Sequence, residues 1–284
     1  IDMLPDKLYN AFNNKDDDTT MMVIFYDTGM SDDDTMDAVT QIRKLSNKQC
    51  FLSGLTAVVT DTKSLTEKEE PIYVAIAVIL SMIAMTLTMD SGLVPVFFLL
   101  SIGCAIMYNL GTNIFLGQIS YITQALAAVL QLGVTMDYSI FLWHSFLEQK
   151  QNYDNNNDAM AAAITATLSS VVGSSTTTIA GFMALCAMEF TLGKDLGIVM
   201  SKGVLFGLVS CVTILPSLIL VFDKPIEKTR HKPLLPNFSK ISGFMTKHYI
   251  AFAIIFVVMW IPAIYGYNHT DVYYNLMKSL PDDL

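Results

Sequence analysis

The sequence predicts an α-helical polytopic membrane protein with six spans, preceded by a partial α+β extracytoplasmic domain at its N-terminus. Three observations predict it. Hydrophobic residues make up 52% of the chain against 15% charged, and the mean hydropathy is +0.46, well to the apolar side of ordinary soluble domains. The apolar residues gather in stretches at about 71–89, 92–110, 118–143, 167–188, 197–222 and 249–267, each close to the roughly 20 residues that cross a bilayer. Acidic residues concentrate before Pro71, and basic ones in one link, 223–248.

In chain order, residues 1–70 come first and read as a β-α-β unit. "TTMMVIFYD" and "CFLSGLTAVVT" have strand composition, and "SDDDTMDAVTQIRKLSNK" between them has helical periodicity. Ser31 is the expected N-cap of that helix. Asp32, Asp33 and Asp34 favour the positive end of its dipole, and Arg43, Lys44 and Lys48 the negative end. These aspartates, like Asp16, Asp17 and Asp18, are read as helix-terminus and loop residues, and no metal is assigned to them. Pro71 stands where the first span begins, a position at which its missing N–H costs nothing.

Short links, "DSG" and the segment before Gln118, make the first three spans tight hairpins. Between spans three and four, "HSFLEQKQNYDNNNDAMAAAITA" is a loop at its Asn-rich centre and a helix start at its Ala-rich end. Pro216 is expected to bend span five. The link 223–248 carries Lys224, Lys228, Arg230, Lys232, Lys240 and Lys247 against Asp223 and Glu227, so the positive-inside rule makes it cytoplasmic. Counting spans outward from it places 1–70 and 268–284 outside the cell membrane. The chain opens without Met and stops in "SLPDDL", which reads as a fragment. "LPDKL" at Leu4 and "LPDDL" at Leu280 are too short a match to mark a repeat, and the "NHT" at Asn268 fits a glycosylation sequon weakly.

Several function classes fall away. A net charge of −9 without a long basic run gives no footprint for nucleic acid. The four cysteines show neither a disulfide framework nor ligand spacing. No Ser/His/Asp arrangement or phosphate-cradling glycine loop is present, so an enzyme is not expected. No cofactor is implied beyond a proton motive force.

The residue that stands out is Asp137 in "LGVTMDYSIFLWH". From Pro71 to Gln149 the chain holds no Lys or Arg, so Asp137 is expected to be buried in apolar company without a cation from its own or the preceding spans. An acid at the centre of a span costs about 2.5–3.5 kcal/mol on insertion scales and is by default a functional candidate, facing a bundle interior or a water-filled cavity. Low dielectric favours the neutral form of a carboxyl and water or a cation the charged form, which is the alternation a proton carrier needs. Tyr138 is the expected hydrogen-bond partner, and Gly133, one turn earlier, is expected to admit a neighbouring helix. His144 reads as an interfacial residue beside Trp143. In span four, Ser170, Ser174, Thr177 and Gly181 form a stripe read first as close packing with hydroxyls bonded to their own helix. Ser174 and Thr177 are also candidates for a relay wall. Lys202 in span five is read as snorkelling.

Together these residues resemble the MmpL (MMPL) branch of the resistance-nodulation-division (RND) transporters. "YITQALAAVLQLGVTMDYSIFLWHSFLEQ" looks like that family's fourth transmembrane helix with its Asp-Tyr pair. "GSSTTTIAGFMAL" looks like the fifth, and "LGKDLGIVMSKGVLFGLVSCVTILPSLIL" like the sixth. The resemblance implies a proton-driven exporter of lipids or amphipathic compounds in the cell membrane, built from two similar halves, each with an outer porter domain. Residues 71–222 would then be family helices two to six, 249–267 helix seven, and 1–70 part of the first porter domain. Asp137 and Tyr138 would be half of a proton relay whose other half lies on the missing second half of the same chain. The implied partners are the bilayer and a hydrophobic or amphipathic small molecule or lipid, and a homo-oligomer stays open. A Patched-like sterol-sensing or lipid receptor and a SecDF-like protein-translocation subunit are the alternatives.

Overall fold

The computed structural model describes residues 12–14, 19–46, 50–231 and 239–270. Asp16–Asp18, Lys48, both "LPD" pentapeptides and residues 271–284 lie outside the described residues. The chain divides into two units, residues 1–65 with 276–284, and residues 66–275.

In the first unit, β1 (Asn13–Asn14) pairs antiparallel with β2 (Thr19–Thr20). The helix α1 (Asp33–Leu45) forms where the periodicity predicts it. Its N-cap is Asp32 rather than Ser31. Asp32 Oδ2 accepts from the Gly29 amide at 2.8 Å instead of capping, while Asp33 and Asp34 in the first turn and Arg43 and Lys44 in the last complement the dipole. Of the expected flanking strands, only Thr19 and Thr20 of the first are in a strand, β2, and the second does not form among the described residues. Met21–Ile24 and Phe25 are exposed and have no regular structure, and a strand without a neighbour to accept its ladder has no stability of its own. Gly54, at a φ of +120° open to glycine, ends the irregular stretch after Cys50. From Leu55 the chain is helical, opening α2 (Leu55–Thr88). Thr60 and Thr62 there return their hydroxyls to the carbonyls of Thr56 and Val58, both at 2.8 Å. Arg43 pairs with Asp61 through two bonds, and Lys63 with Asp33 at 3.1 Å.

Pro71 therefore sits inside α2 and not at its start, and its missing N–H leaves the Glu67 carbonyl without an intrahelical donor. The role expected of Pro71 is taken by Pro95, in the first turn of α3 (Val94–Gly111). A 3-10 turn (Thr112–Leu116) leads to α4 (Tyr121–Gln149), α5 (Asn156–Leu185) and α6 (Thr191–Val221). The Asn155 side chain accepts from the Asn157 amide at 3.1 Å and caps α5 where the Ala-rich run begins. Then come α7 (Asp223–Lys228), α8 (Ser239–Lys247) and α9 (Tyr249–Asn268). Among the described residues, six helices, α2 to α6 and α9, are long and apolar enough to cross a membrane.

The helices α3 to α6 pack together around α6, which meets each of the other three. Phe98, Leu142, Trp143, Phe146, Met160 and Leu215 fill the core, and Met85 and Met89 bring the end of α2 into it. Two glycines set the crossing of α6 with α3 and α4. A Cβ on Gly207 would stand 2.1 Å from Thr135 Cγ2, and one on Gly203 would stand 2.7 Å from Asn109 Nδ2. The space so freed holds a buried polar chain: Asn109 Nδ2 donates to Gln131 Oε1 at 2.9 Å, and Gln131 Nε2 to the Gly203 carbonyl at 3.0 Å. About two turns beyond Gly203 on α6, Ser101 and Ser210 join hydroxyl to hydroxyl at 2.8 Å. Pro216 is buried within α6, whose helix runs on to Val221. Residues 241–270, by contrast, are exposed throughout.

At the α7 end, charges clamp the bundle. Asp90 accepts from Arg230 Nε at 2.8 Å and from the indole of buried Trp143 at 3.2 Å, and its carbonyl accepts the His231 amide. Lys150 lies between Asp223 (3.0 Å) and Glu227 (2.8 Å), and Asn156 also donates to Asp223 at 2.7 Å. Burial pulls the Lys150 ammonium down, but its bonds to Glu227 and Asp223 outweigh this and hold it above the ordinary lysine value. The Lys150 hydrogen bond in turn lowers Glu227.

Candidate functional site

On α4, a four-residue spacing places Gly133, Asp137 and Phe141 on one face, and on α5 it does the same for Ser170, Ser174 and Thr178. The two faces line an open cleft of about 480 Å³, which Val134, Tyr138 and Val171 also border. The cleft brings together three residues expected from sequence: Asp137, Tyr138 and Ser174.

The arrangement differs from expectation in four respects. Asp137 is exposed within this chain. Its carboxylate makes no ion pair or hydrogen bond with the described residues, so the cleft, and not a closed core, is its environment. Tyr138 is the buried member, 3% exposed, and its hydroxyl has no partner among the described residues; it does not bond Asp137, because consecutive helical side chains diverge by about 100°. Beside Gly133 and Gly181, no atom of the described residues stands within 4 Å of where a Cβ would be, so the helix expected against Gly133 is not among them. Thr177 is not on the cleft wall. Its hydroxyl donates to the Ser174 carbonyl at 2.8 Å; Thr178, one full four-residue step beyond Ser174, takes the place on the wall.

The stripe reading holds in part. Thr176 and Thr178 also return their hydroxyls to their own helix, to the Val172 and Ser174 carbonyls. Ser175 is buried with its hydroxyl unpartnered. His144 is exposed and lies off the cleft. Lys202 does not extend as a free snorkel: its Nζ donates to Asn113 Oδ1 at 2.6 Å. Among the described residues no group of His, Cys, Asp and Glu could hold a metal ion.

Chemically, the cleft offers one carboxylate without a partner among the described residues, hydroxyl-bearing side chains opposite it, and the ring of Tyr138 beside it.

Residues that the sequence reading passed over are polar groups in apolar helices, Asn109, Asn113 and Gln131, and Asp90 in the "DSG" link. The signal for the first three was visible, since an amide within a span needs a partner on another helix. Asp90 looked like a turn residue, and only the return of the chain at Arg230 gives it a partner.

Sequence comparison agrees with this architecture. The MMPL family profile matches residues 4–234. The membrane protein ActII-3 of Streptomyces coelicolor is 32% identical over 125 residues, covering 44% of this chain and 17% of that protein. The membrane protein MJ1562 of Methanocaldococcus jannaschii is 23% identical over 233 residues, covering 80% and 60%. The apo-petrobactin exporter of Bacillus anthracis is 22% identical over 258 residues, covering 84% and 34%. The chain thus spans only part of the length of these relatives. A family match that runs through α1 and the five spans α2 to α6, over helices whose hairpins and polar crossings the structure accounts for, makes this chain a member of the MMPL family of multi-pass membrane proteins.

Proposed function

We propose that the whole protein is a proton-coupled secondary transporter that exports lipids or amphipathic compounds, and that Asp137 carries the proton. The observation that supports this reading most is the unpaired Asp137 carboxylate at the cleft between α4 and α5. Kinship with an exporter, at low identity, supports export in general.

In this reading the ionised carboxylate keeps the cleft hydrated, because no Lys or Arg lines it. Protonation removes that charge and leaves an acid that can donate to a hydroxyl such as Ser170 or Ser174, so the cleft can dehydrate and close. Release of the proton reverses the step. Tyr138 borders the cleft with its side chain, while its hydroxyl is buried and has no partner among the described residues, so its part in this reading is to be freed when the cleft rearranges. Coupling follows if open and closed clefts belong to different access states of the cargo path.

The test is proton flux in proteoliposomes holding the whole protein. A transporter moves protons with a pH-sensitive dye inside the vesicle as reporter, and cargo stimulates the flux; a lipid receptor of similar architecture leaves the dye unchanged, and that result would remove the proposal.

A further inference from the structure

We infer that Lys202 and Asn113 form a recognition site for the acidic head of an amphipath, at the end of the bundle that carries the 3-10 turn. Lys202 lies eleven residues into α6, about 16 Å along the helix, inside an apolar span. Its ammonium has three N–H donors. One reaches Asn113 Oδ1 at 2.6 Å, and Asn113 is buried and neutral. None of the ion pairs among the described residues includes Lys202. The charge is therefore held in place by an amide that cannot neutralise it, with donors left over.

What lies beside it selects the ligand. One turn further along α6, Phe206 meets the exposed Tyr108 of α3 with ring centroids 6.2 Å apart, and Leu205 and Val209 are exposed on the same stretch of α6. A cation at one end of an aromatic and aliphatic strip complements a molecule with a phosphate or carboxylate head and an apolar chain. A free inorganic anion would leave the strip uncovered, and a lipid without an anionic group would leave the ammonium unpaired. The site is distinct from the Asp137 cleft, shares no residue with it, and is read by binding, so it stands or falls separately from proton coupling.

The test uses the whole protein in phosphatidylcholine nanodiscs doped with photoactivatable lipids, cross-linked peptides being mapped by mass spectrometry. Diazirine-bearing phosphatidylglycerol and a diazirine fatty acid should label the peptides around Tyr108 and Leu205 in preference to diazirine-bearing diacylglycerol, a neutral probe with no anionic group. A charge-assisted contact predicts a preference of about tenfold. Lys202→Gln should abolish the preference and Lys202→Arg should keep it. Equal labelling of the unaltered protein by the neutral and acidic probes overturns the site, whatever the variants do, and so does a preference that survives Lys202→Gln.

Discussion

Tyr138 shows how much a single side chain in this protein depends on what completes the cleft. Its hydroxyl is buried and makes no hydrogen bond, an arrangement that is unfavourable as it stands. Tyr138→Phe should therefore leave thermal stability unchanged or slightly raised, where loss of a made hydrogen bond would cost about 0.5–1.5 kcal/mol. It should also slow proton flux mildly, since the carboxylate remains. Melting in detergent and flux in vesicles measure the two separately. A marked loss of stability would mean that the hydroxyl already has a partner in the whole protein. At this scale the sequence was legible where chemistry alone decides: an acid in an apolar run marks Asp137. It was not legible where orientation decides. Burial of Asp137, a bond to Tyr138 and a wall place for Thr177 all needed side-chain directions, and the choice between a three- and a four-residue step along α5 separates Thr177 from Thr178.

Among the elements, α6 is the one on which packing converges. Gly207→Ala would put a methyl 2.1 Å from Thr135 Cγ2, and overpacking of this kind costs about 1–3 kcal/mol. The variant should melt earlier, and Thr135→Ala in the same chain should restore part of the loss. No recovery would mean that the crossing is set by contacts elsewhere. The clamp on α7 titrates. Glu227 is held below its ordinary value of 4.5 by Lys150, so its contribution is present above that value and lost as pH falls through the depressed one. Lys150 is raised above 10.5, so its contribution is complete below that value and lost as pH rises through the elevated one. Protection of the α7 amides, taken relative to their intrinsic exchange at each pH, should be greatest between these limits and fall at both ends; protection that stays flat across acid pH would contradict the Glu227 contact. The six apolar runs foretold all six long helices because hydropathy is a property of composition. The ends were less legible: α2 begins well before Pro71, since a helix continues wherever its backbone bonds are met, with or without lipid. β-branched Val58, Val59 and Thr60 predict a strand at Cys50–Thr60, but that preference spans only about 1 kcal/mol and depends on neighbouring strands, and the chain is helical from Leu55 instead.

For the molecule as a whole, the basic link 223–248 remains the basis for orientation. The proposal is that residues 1–70 and 268–284 face outward. A single Cys at Ser242 should resist an impermeant thiol reagent on intact cells, while Cys50, exposed in this structure, should react; the reverse pattern would invert the topology. The central claim is that proton movement through Asp137 drives export. Its most direct test is transport across a pH gradient by the whole protein in proteoliposomes, with Asp137→Asn beside the unaltered chain over a series of external pH values. The substitution keeps size and hydrogen-bonding capacity and removes titration. The account predicts gradient-driven, pH-dependent transport for the unaltered protein and its loss in Asp137→Asn, with melting temperature and yield nearly unchanged. Undiminished, pH-dependent transport by Asp137→Asn would contradict it.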